Sequence, residues 1–190
     1  HSGRAPLPRP ASPAPRLGGR HGALDGAEDT LPPGARVADE GCGHGASPTV
    51  MAKTVPDSIF YGFDSHPESI ETARRRAREE GVEANTRFLV STAKEYEEDG
   101  FDLICFFDCL HDMGDPVGAA DHARRALAAD GSVLLVEPAA ADDLDSNINP
   151  VSRLYYAAST AVCTPCSLSQ EVGLALGAQA GQKRLSDVMD

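Results

Sequence analysis

A carboxylate two residues ahead of a glycine-rich turn is the first place where this chain has the means for chemistry. The segment Val37-Ala38-Asp39-Glu40-Gly41-Cys42-Gly43-His44-Gly45 ends an apolar run and leads into residues with helical spacing. Glycines in such a turn permit positive φ and let a ligand lie against the backbone. Gly41, Gly43 and Ala46 also satisfy the dinucleotide-binding spacing G-x-G-x-x-A, so the turn alone does not choose a ligand. Asp39 discriminates, because that position in a dinucleotide fold is normally apolar, whereas a carboxylate there accepts hydrogen bonds from a cationic amino group. Asp64 lies 19 residues after Gly45, the spacing at which an acidic side chain meets both hydroxyls of a ribose. The alternative for Asp64 is a cap on the helix opening at Pro67. Further on, Phe101-Asp102-Leu103-Ile104-Cys105-Phe106-Phe107-Asp108-Cys109-Leu110-His111-Asp112-Met113 carries an apolar run into a loop with Asp108 and His111. A histidine titrates near neutrality, so His111 suits proton abstraction from a substrate hydroxyl, the alternative being a packing or orienting role.

These residues need strands that end at one edge. From Arg36 onward short apolar runs alternate with helical periodicity, the pattern of βα units in a parallel sheet. Strands are expected at 35–39, 59–64, 86–90, 101–107 and 132–136, and helices at 46–55, 67–81 and 116–129. Pro67 fits a first helical turn and Gly81 a helix stop. The expectation is an α/β chain with a Rossmann-like, doubly wound parallel sheet, whose ligands bind at the carboxyl ends of the strands. Beyond Pro138 only helical spacing is visible, at 150–161 and 169–180, with a further segment from Arg184.

The chain has 190 residues, within the size of one domain, and 41 % hydrophobic residues supply one core. Its 17 Lys plus Arg against 29 Asp plus Glu give a net charge of −12, a field that repels phosphate backbones and argues against nucleic acid. No apolar run approaches the roughly 20 residues of a membrane helix. Five cysteines, an odd number, and no signal-peptide pattern favour a reducing cytoplasm. Seven of the 14 prolines precede Gly34, and no acid occurs before Asp25. Residues 1–30 therefore read as a disordered Pro/Gly/Arg-rich tail or linker ahead of a domain over 31–190.

With these motifs in order, the chain resembles the class I S-adenosylmethionine-dependent methyltransferases. Their first motif is an acidic residue followed by x-G-x-G-x-G, often with a cysteine after the first glycine. The resemblance runs from Arg36 to Pro138, through F-D-L-I-C-F-F-D-C-L-H-D and the turn at Asp130-Gly131, to Glu137-Pro138. It implies that Asp39, Gly41, Cys42, Gly43 and Gly45 hold the methionine part of S-adenosyl-L-methionine and that Asp64, with Ser65, holds the ribose. It places Thr92 and Ala93 near the adenine, with Thr92 where an acidic residue is usual, and Asp108 and Cys109 beside the cofactor. His111 is the expected catalytic residue on the substrate side.

Residues 147–179 further resemble bacterial, including actinobacterial, members that carry an amino-terminal winged-helix dimerisation domain. In those an insertion after the fifth strand, here 138–183, helps roof the substrate pocket. That resemblance makes Tyr155 and Tyr156 candidate lining residues and leaves a homodimer open. Relative to such members the chain reads as truncated at both ends, without the final strands, and low activity and marginal stability are expected of it.

The function implied is S-adenosylmethionine-dependent methyl transfer to a small molecule, an in-line displacement that needs positioning rather than a metal. The alternatives are an NAD-type Rossmann oxidoreductase and an inactive cofactor-binding remnant. Three features stand apart. Glu40 occupies a usually apolar position, where burying a lone carboxylate costs several kcal/mol. Cys163-Thr164-Pro165-Cys166 has the spacing of a redox pair or half a zinc site, but it follows a helix and has no second pair in sequence. Asp142, Asp143 and Asp145 read as a solvated loop.

Overall fold

The computed structural model describes residues 31–190; the tail expected over 1–30 lies outside them. Five strands, β1 (Arg36–Glu40), β2 (Ile59–Asp64), β3 (Thr86–Val90), β4 (Phe101–Phe107) and β5 (Leu127–Val136), form one sheet in the order β3-β2-β1-β4-β5. Every pairing is parallel. Strands covered on both faces have little need to alternate polar residues, which is why Phe101–Phe107 reads as a near-continuous apolar run.

Helices α1 (Ala46–Thr54) and α2 (Pro67–Glu79) cover one face, where Val37, Phe60, Cys105 and Phe107 pack with Ile70, Ala73 and Ala77. Helices α3 (Pro116–Ala126) and α6 (Gln182–Met189) cover the other, over Ala38, Phe63, Ile104 and Phe106. The connection from β3 to β4, residues 91–100, crosses without a helix. Between β5 and α6 lie α4 (Pro150–Ala158), a π-helical turn at Ser159–Cys163 and α5 (Thr164–Leu168).

Two sequence expectations are corrected. Helix α3 stops at Ala126, and the last strand starts at Leu127 rather than Ser132. Leu127 pairs with Phe101, and the register then jumps so that Ser132 meets Leu103. Gly131 fits that irregularity, since a Cβ there would lie 2.5 Å from the Phe101 carbonyl oxygen. The helix expected at 169–180 does not form: Val172, Gly173, Ala175 and Gly177 all adopt positive φ, which a right-handed helix excludes. Apolar spacing was present there, but four glycines and alanines in seven residues do not enforce a helix against tertiary contacts.

Candidate active site at the carboxyl edge of the sheet

Parallel pairing brings the ends of β1, β2, β3 and β4 to one edge, and the strand order turns outward in both directions from the β1–β4 pair. That reversal is where ligands of open α/β sheets bind.

Asp39 and Glu40 close β1, both fully buried. The loop after them is held shut from below. The Cys42 amide donates to the Phe63 carbonyl at 3.0 Å, and the Cys42 carbonyl accepts from the Gly45 amide at 3.0 Å. With its thiol buried and pushed far up by burial, Cys42 serves the loop itself rather than facing outward. Gly43 differs from its neighbours. At φ +53 a Cβ on it would meet nothing within 4 Å, whereas one on Gly45 would lie 2.7 Å from the Ala73 Cβ and 2.8 Å from the Phe88 ring. Gly45 therefore lets α1 and α2 close on the sheet, and Gly43 exposes backbone to open space.

Asp64 ends β2 and reaches the loop. One of its oxygens accepts from the Gly43 amide at 2.9 Å, and the other accepts from the His66 amide at 2.9 Å. A carboxylate has about four acceptor positions, so two remain for a ligand. The His66 bond closes a local turn ahead of α2 and does not cap the helix, whose N-terminus has no side-chain cap hydrogen bond. Ser65 beside it is exposed.

After β3, the Thr92 hydroxyl donates to the Glu95 carboxylate at 2.8 Å. The exposed Glu95 carboxylate thus lies beside Thr92, the position where the resemblance leads one to expect an acid. Ala93 packs partly buried against the α3 side of the core. Lys94 pairs with Asp115 at 2.9 Å, and Asp115 also caps α3 by accepting from the Gly118 amide. The lysine and that cap hold the Asp115 carboxyl below its ordinary value.

Beyond β4, Asp108 is exposed at φ +58, its amide bonded to the Val136 carbonyl at 2.7 Å. The Cys109 thiol donates to the Glu40 carbonyl at 3.1 Å, tying this loop to the end of β1. His111 is buried, 4 % exposed. Its Nδ1 is hydrogen-bonded to Glu137 at the end of β5. The other Glu137 oxygen accepts from the Leu110 amide at 2.8 Å and the Cys109 amide at 3.2 Å. Burial pulls the imidazole pKa down, but the Glu137 hydrogen bond and charge, helped by Asp112 and Asp108, outweigh it and leave the pKa above 6.5. Sequence reasoning missed Glu137 as a functional group; its signal was a carboxylate closing an apolar strand, the same pattern as Asp64.

The segment after β5 folds over this loop. The Ser167 hydroxyl donates to the Met113 carbonyl at 2.7 Å, Gln170 bonds the Gly114 amide and the Asp112 carbonyl, and the Gly177 amide donates to the His111 carbonyl. Tyr155 is exposed on α4, and Tyr156 is approached by Asn147. The contacts with the His111 loop come from further along the chain than the tyrosine pair.

A Rossmann-like sheet with a glycine loop, a β2 carboxylate and a buried His–Glu pair on one edge has the architecture of a class I methyltransferase. Residues 31–186 match a family model described as a methyltransferase domain, and the chain belongs to that family. No curated protein matches it. Among solved structures it is similar to the YcgJ protein from Bacillus subtilis, with 26 % identity over 88 % of this chain and 66 % of that one, and a TM-score of 0.65. It is similar in fold to the mitomycin 7-O-methyltransferase MmcR, with 19 % identity over 82 % of this chain and 41 % of that one (TM-score 0.63). An O-methyltransferase from a multienzyme of Brevibacillus brevis, solved in complex with S-adenosyl-L-homocysteine, shares 22 % identity over 59 % of this chain and 40 % of that one (TM-score 0.51). The chain thus spans between two fifths and two thirds of the length of these structures. Nothing in the family or the fold neighbours supports the oxidoreductase alternative. Among the described residues no helix is long and apolar enough to cross a membrane.

Proposed function

We propose that this chain is the catalytic core of a methyltransferase that binds S-adenosyl-L-methionine and methylates a small molecule, with a hydroxyl as acceptor. The observation that carries this reading is the Asp64 carboxylate, hydrogen-bonded to the Gly43 amide while keeping acceptor positions beside the open side of the loop. The residues present fit the cofactor: glycine backbone open to space, a carboxylate to accept two ribose hydroxyls, and, buried beneath the loop, Asp39 as counter-charge for an amino group.

S-adenosylmethionine, when bound, would supply an activated methyl group for in-line transfer to an acceptor oxygen, with the neutral thioether S-adenosylhomocysteine as the leaving group. Asp39 and the turn from Gly41 to Gly45 hold its methionine end, with Cys42 acting through the fold of the loop. Asp64 and Ser65 take the ribose, Thr92 with Glu95 and Ala93 flank the adenine, and Asp108 and Cys109 close the side toward β4. His111 takes the acceptor proton on Nε2 while Glu137 holds Nδ1–H and stabilises the resulting imidazolium. The segment anchored by Ser167 and Gln170 keeps water from the histidine. Small acceptors fit a net charge of −12, which disfavours nucleic acid. A cytoplasmic location and a homodimer belong to the same reading, and the winged-helix-bearing subgroup rests on the resemblance of residues 147–179.

Calorimetry with S-adenosylmethionine, S-adenosylhomocysteine and NAD tests it. Binding of the first two and not of NAD is expected, followed by gain of one methyl group on phenolic acceptors by mass spectrometry. Saturable NAD binding without S-adenosylmethionine binding overturns the reading.

A further inference from the structure

Cys163 sits where the sequence gives no reason to place it. It closes the π-helical turn Ser159–Cys163, two residues before Pro165 in the first turn of α5. A proline has no N–H to return to the preceding turn, and widened turns of this kind are frequent where a side chain must be redirected to a functional site. Here Ser159 and Cys163 face inward while Thr160, Ala161 and Val162 stay exposed. Cys163 lands against the loop after β4, so that one donor atom each from His111, Asp112 and Cys163 lies within 4.8 Å of the others. His111 Nε2 is 3.3 Å from Asp112 Oδ1. Two of the three residues are buried, and the Asp112 Oδ1 atom itself is shielded from solvent.

The donor set is one nitrogen, one oxygen and one sulfur, the mixture that suits zinc at tetrahedral distances and not magnesium or calcium, which take oxygen ligands. The surroundings supply the outer support that metal-bound histidines have. Nδ1 of His111 is held by Glu137, which in turn accepts from two backbone amides. That leaves Nε2 fixed in direction and carrying the free lone pair. The other grouping nearby, Asp108 with His111 and Glu137, is better satisfied by hydrogen bonds, because Glu137 already serves the histidine and two amides.

We propose that His111 Nε2, the Asp112 carboxylate and the Cys163 sulfur form a zinc-binding site, distinct from the glycine loop, with one coordination position left for water or an oxygen-bearing ligand. On loading, the Cys163 thiol gives up its proton to solvent and binds as thiolate, with no change of oxidation state. Cys166, exposed and three residues away, is not a ligand. Zinc on Nε2 also prevents that nitrogen from taking an acceptor proton, so the ion inhibits methyl transfer. The inhibition rests on the role proposed for His111 above, and the binding does not.

The test uses the full chain with Zn²⁺ competed against a chromogenic chelator, and Co²⁺ as spectroscopic probe, without cofactor or acceptor. One equivalent of Zn²⁺ is expected, together with tetrahedral Co²⁺ absorption and a thiolate-to-cobalt charge-transfer band. Cys163→Ser and Asp112→Asn should abolish stoichiometric uptake, Glu137→Gln should weaken it roughly 10- to 100-fold, and Cys166→Ser should leave it unchanged. Absence of one-to-one uptake, or a Co²⁺ spectrum of the wild-type chain without the thiolate band, overturns the proposal whether or not the variants fold. So does uptake that survives Cys163→Ser or disappears with Cys166→Ser.

Discussion

The Asp64 carboxylate accepts a hydrogen bond of 2.9 Å from the Gly43 amide, across 21 residues of sequence. The bond joins the carboxyl end of β2 to the loop after β1 and fixes both relative to the space between them. A ligand that used both would find them already oriented, so little ordering is needed on binding.

Replacing Asp64 with alanine should weaken S-adenosylmethionine binding by about 1 to 3 kcal/mol, roughly 5- to 150-fold. Asp64→Asn keeps an acceptor for the Gly43 amide but loses the charge and half of the acceptor set, and it should fall between wild type and alanine. Calorimetry decides this; unchanged affinity in a folded Asp64→Ala chain removes the residue from the site.

Two glycines of the same loop should respond in opposite ways. Gly45→Ala places a Cβ 2.7 Å from the Ala73 Cβ at φ +69, and the combined backbone strain and overpacking should cost about 2 to 5 kcal/mol of stability. Gly43→Ala meets no atom within 4 Å, so it costs only the strain of positive φ, about 1 to 2 kcal/mol, but it intrudes on the ligand space. Thermal melting should single out Gly45→Ala, and cofactor titration should single out Gly43→Ala.

His111→Ala should leave cofactor affinity within a factor of about two and lower turnover by about 100- to 10 000-fold, the range of a positioned base. Because the folded pKa of His111 is raised above 6.5, kcat/KM should increase with pH through a midpoint above that value. Glu137→Gln removes the main charge that raises it, and the midpoint should move down. A pH profile identical in Glu137→Gln and wild type would deny His111 the role of base. The same raised pKa predicts that the stability contributed by the pair is complete below pH 6.5 and is lost as pH climbs through the folded value.

The sheet was legible because alternation of apolar runs with helical spacing is a local property: β3 and β4 have the expected limits, and Asp39, Asp64 and Asp108 lie near or at strand ends as their motifs imply. What escaped was non-local. Glu137 comes together with His111 only because β4 and β5 are neighbours in the sheet, and Cys163 joins them only through a π-helical turn that spacing does not announce. The stretch 169–180 failed as a helix for a related reason. Its Gln170, Leu174 and Gly177 find partners in the loop from His111 to Gly114, and these long-range bonds override weak local preference.

Glu40 is the residue most at odds with its surroundings. It ends β1, is fully buried, and lies beside Tyr96 of the α3 side of the core. Burial drives its pKa well above the ordinary 4.5, and Asp39 adds to the rise, while the Tyr96 hydroxyl beside it pulls the other way. The folded chain therefore keeps Glu40 protonated over a range where the unfolded chain has released the proton. The native state binds more protons than the unfolded state there, so stability declines as pH rises above about 4.5 and levels off only beyond the folded pKa. Glu40→Leu should remove that decline. Alone it leaves the buried Tyr96 hydroxyl without its neighbour, at a cost of about 1 to 3 kcal/mol, so the gain from removing a buried carboxyl is largely offset and melting should change little at pH 6. In Glu40→Leu with Tyr96→Phe both polar groups are gone, and the double variant should be about 1 to 3 kcal/mol more stable than wild type at pH 8, equivalent to roughly 2 to 12 °C in melting temperature for a chain of this size. Melting curves at several pH values between 5 and 8 separate this slope from that of His111, which begins only near 6.5. If the double variant melts lower than wild type at pH 8, or if its pH slope below 6.5 matches the wild-type slope, Glu40 is not the titrating group and its carboxylate is contributing to the fold.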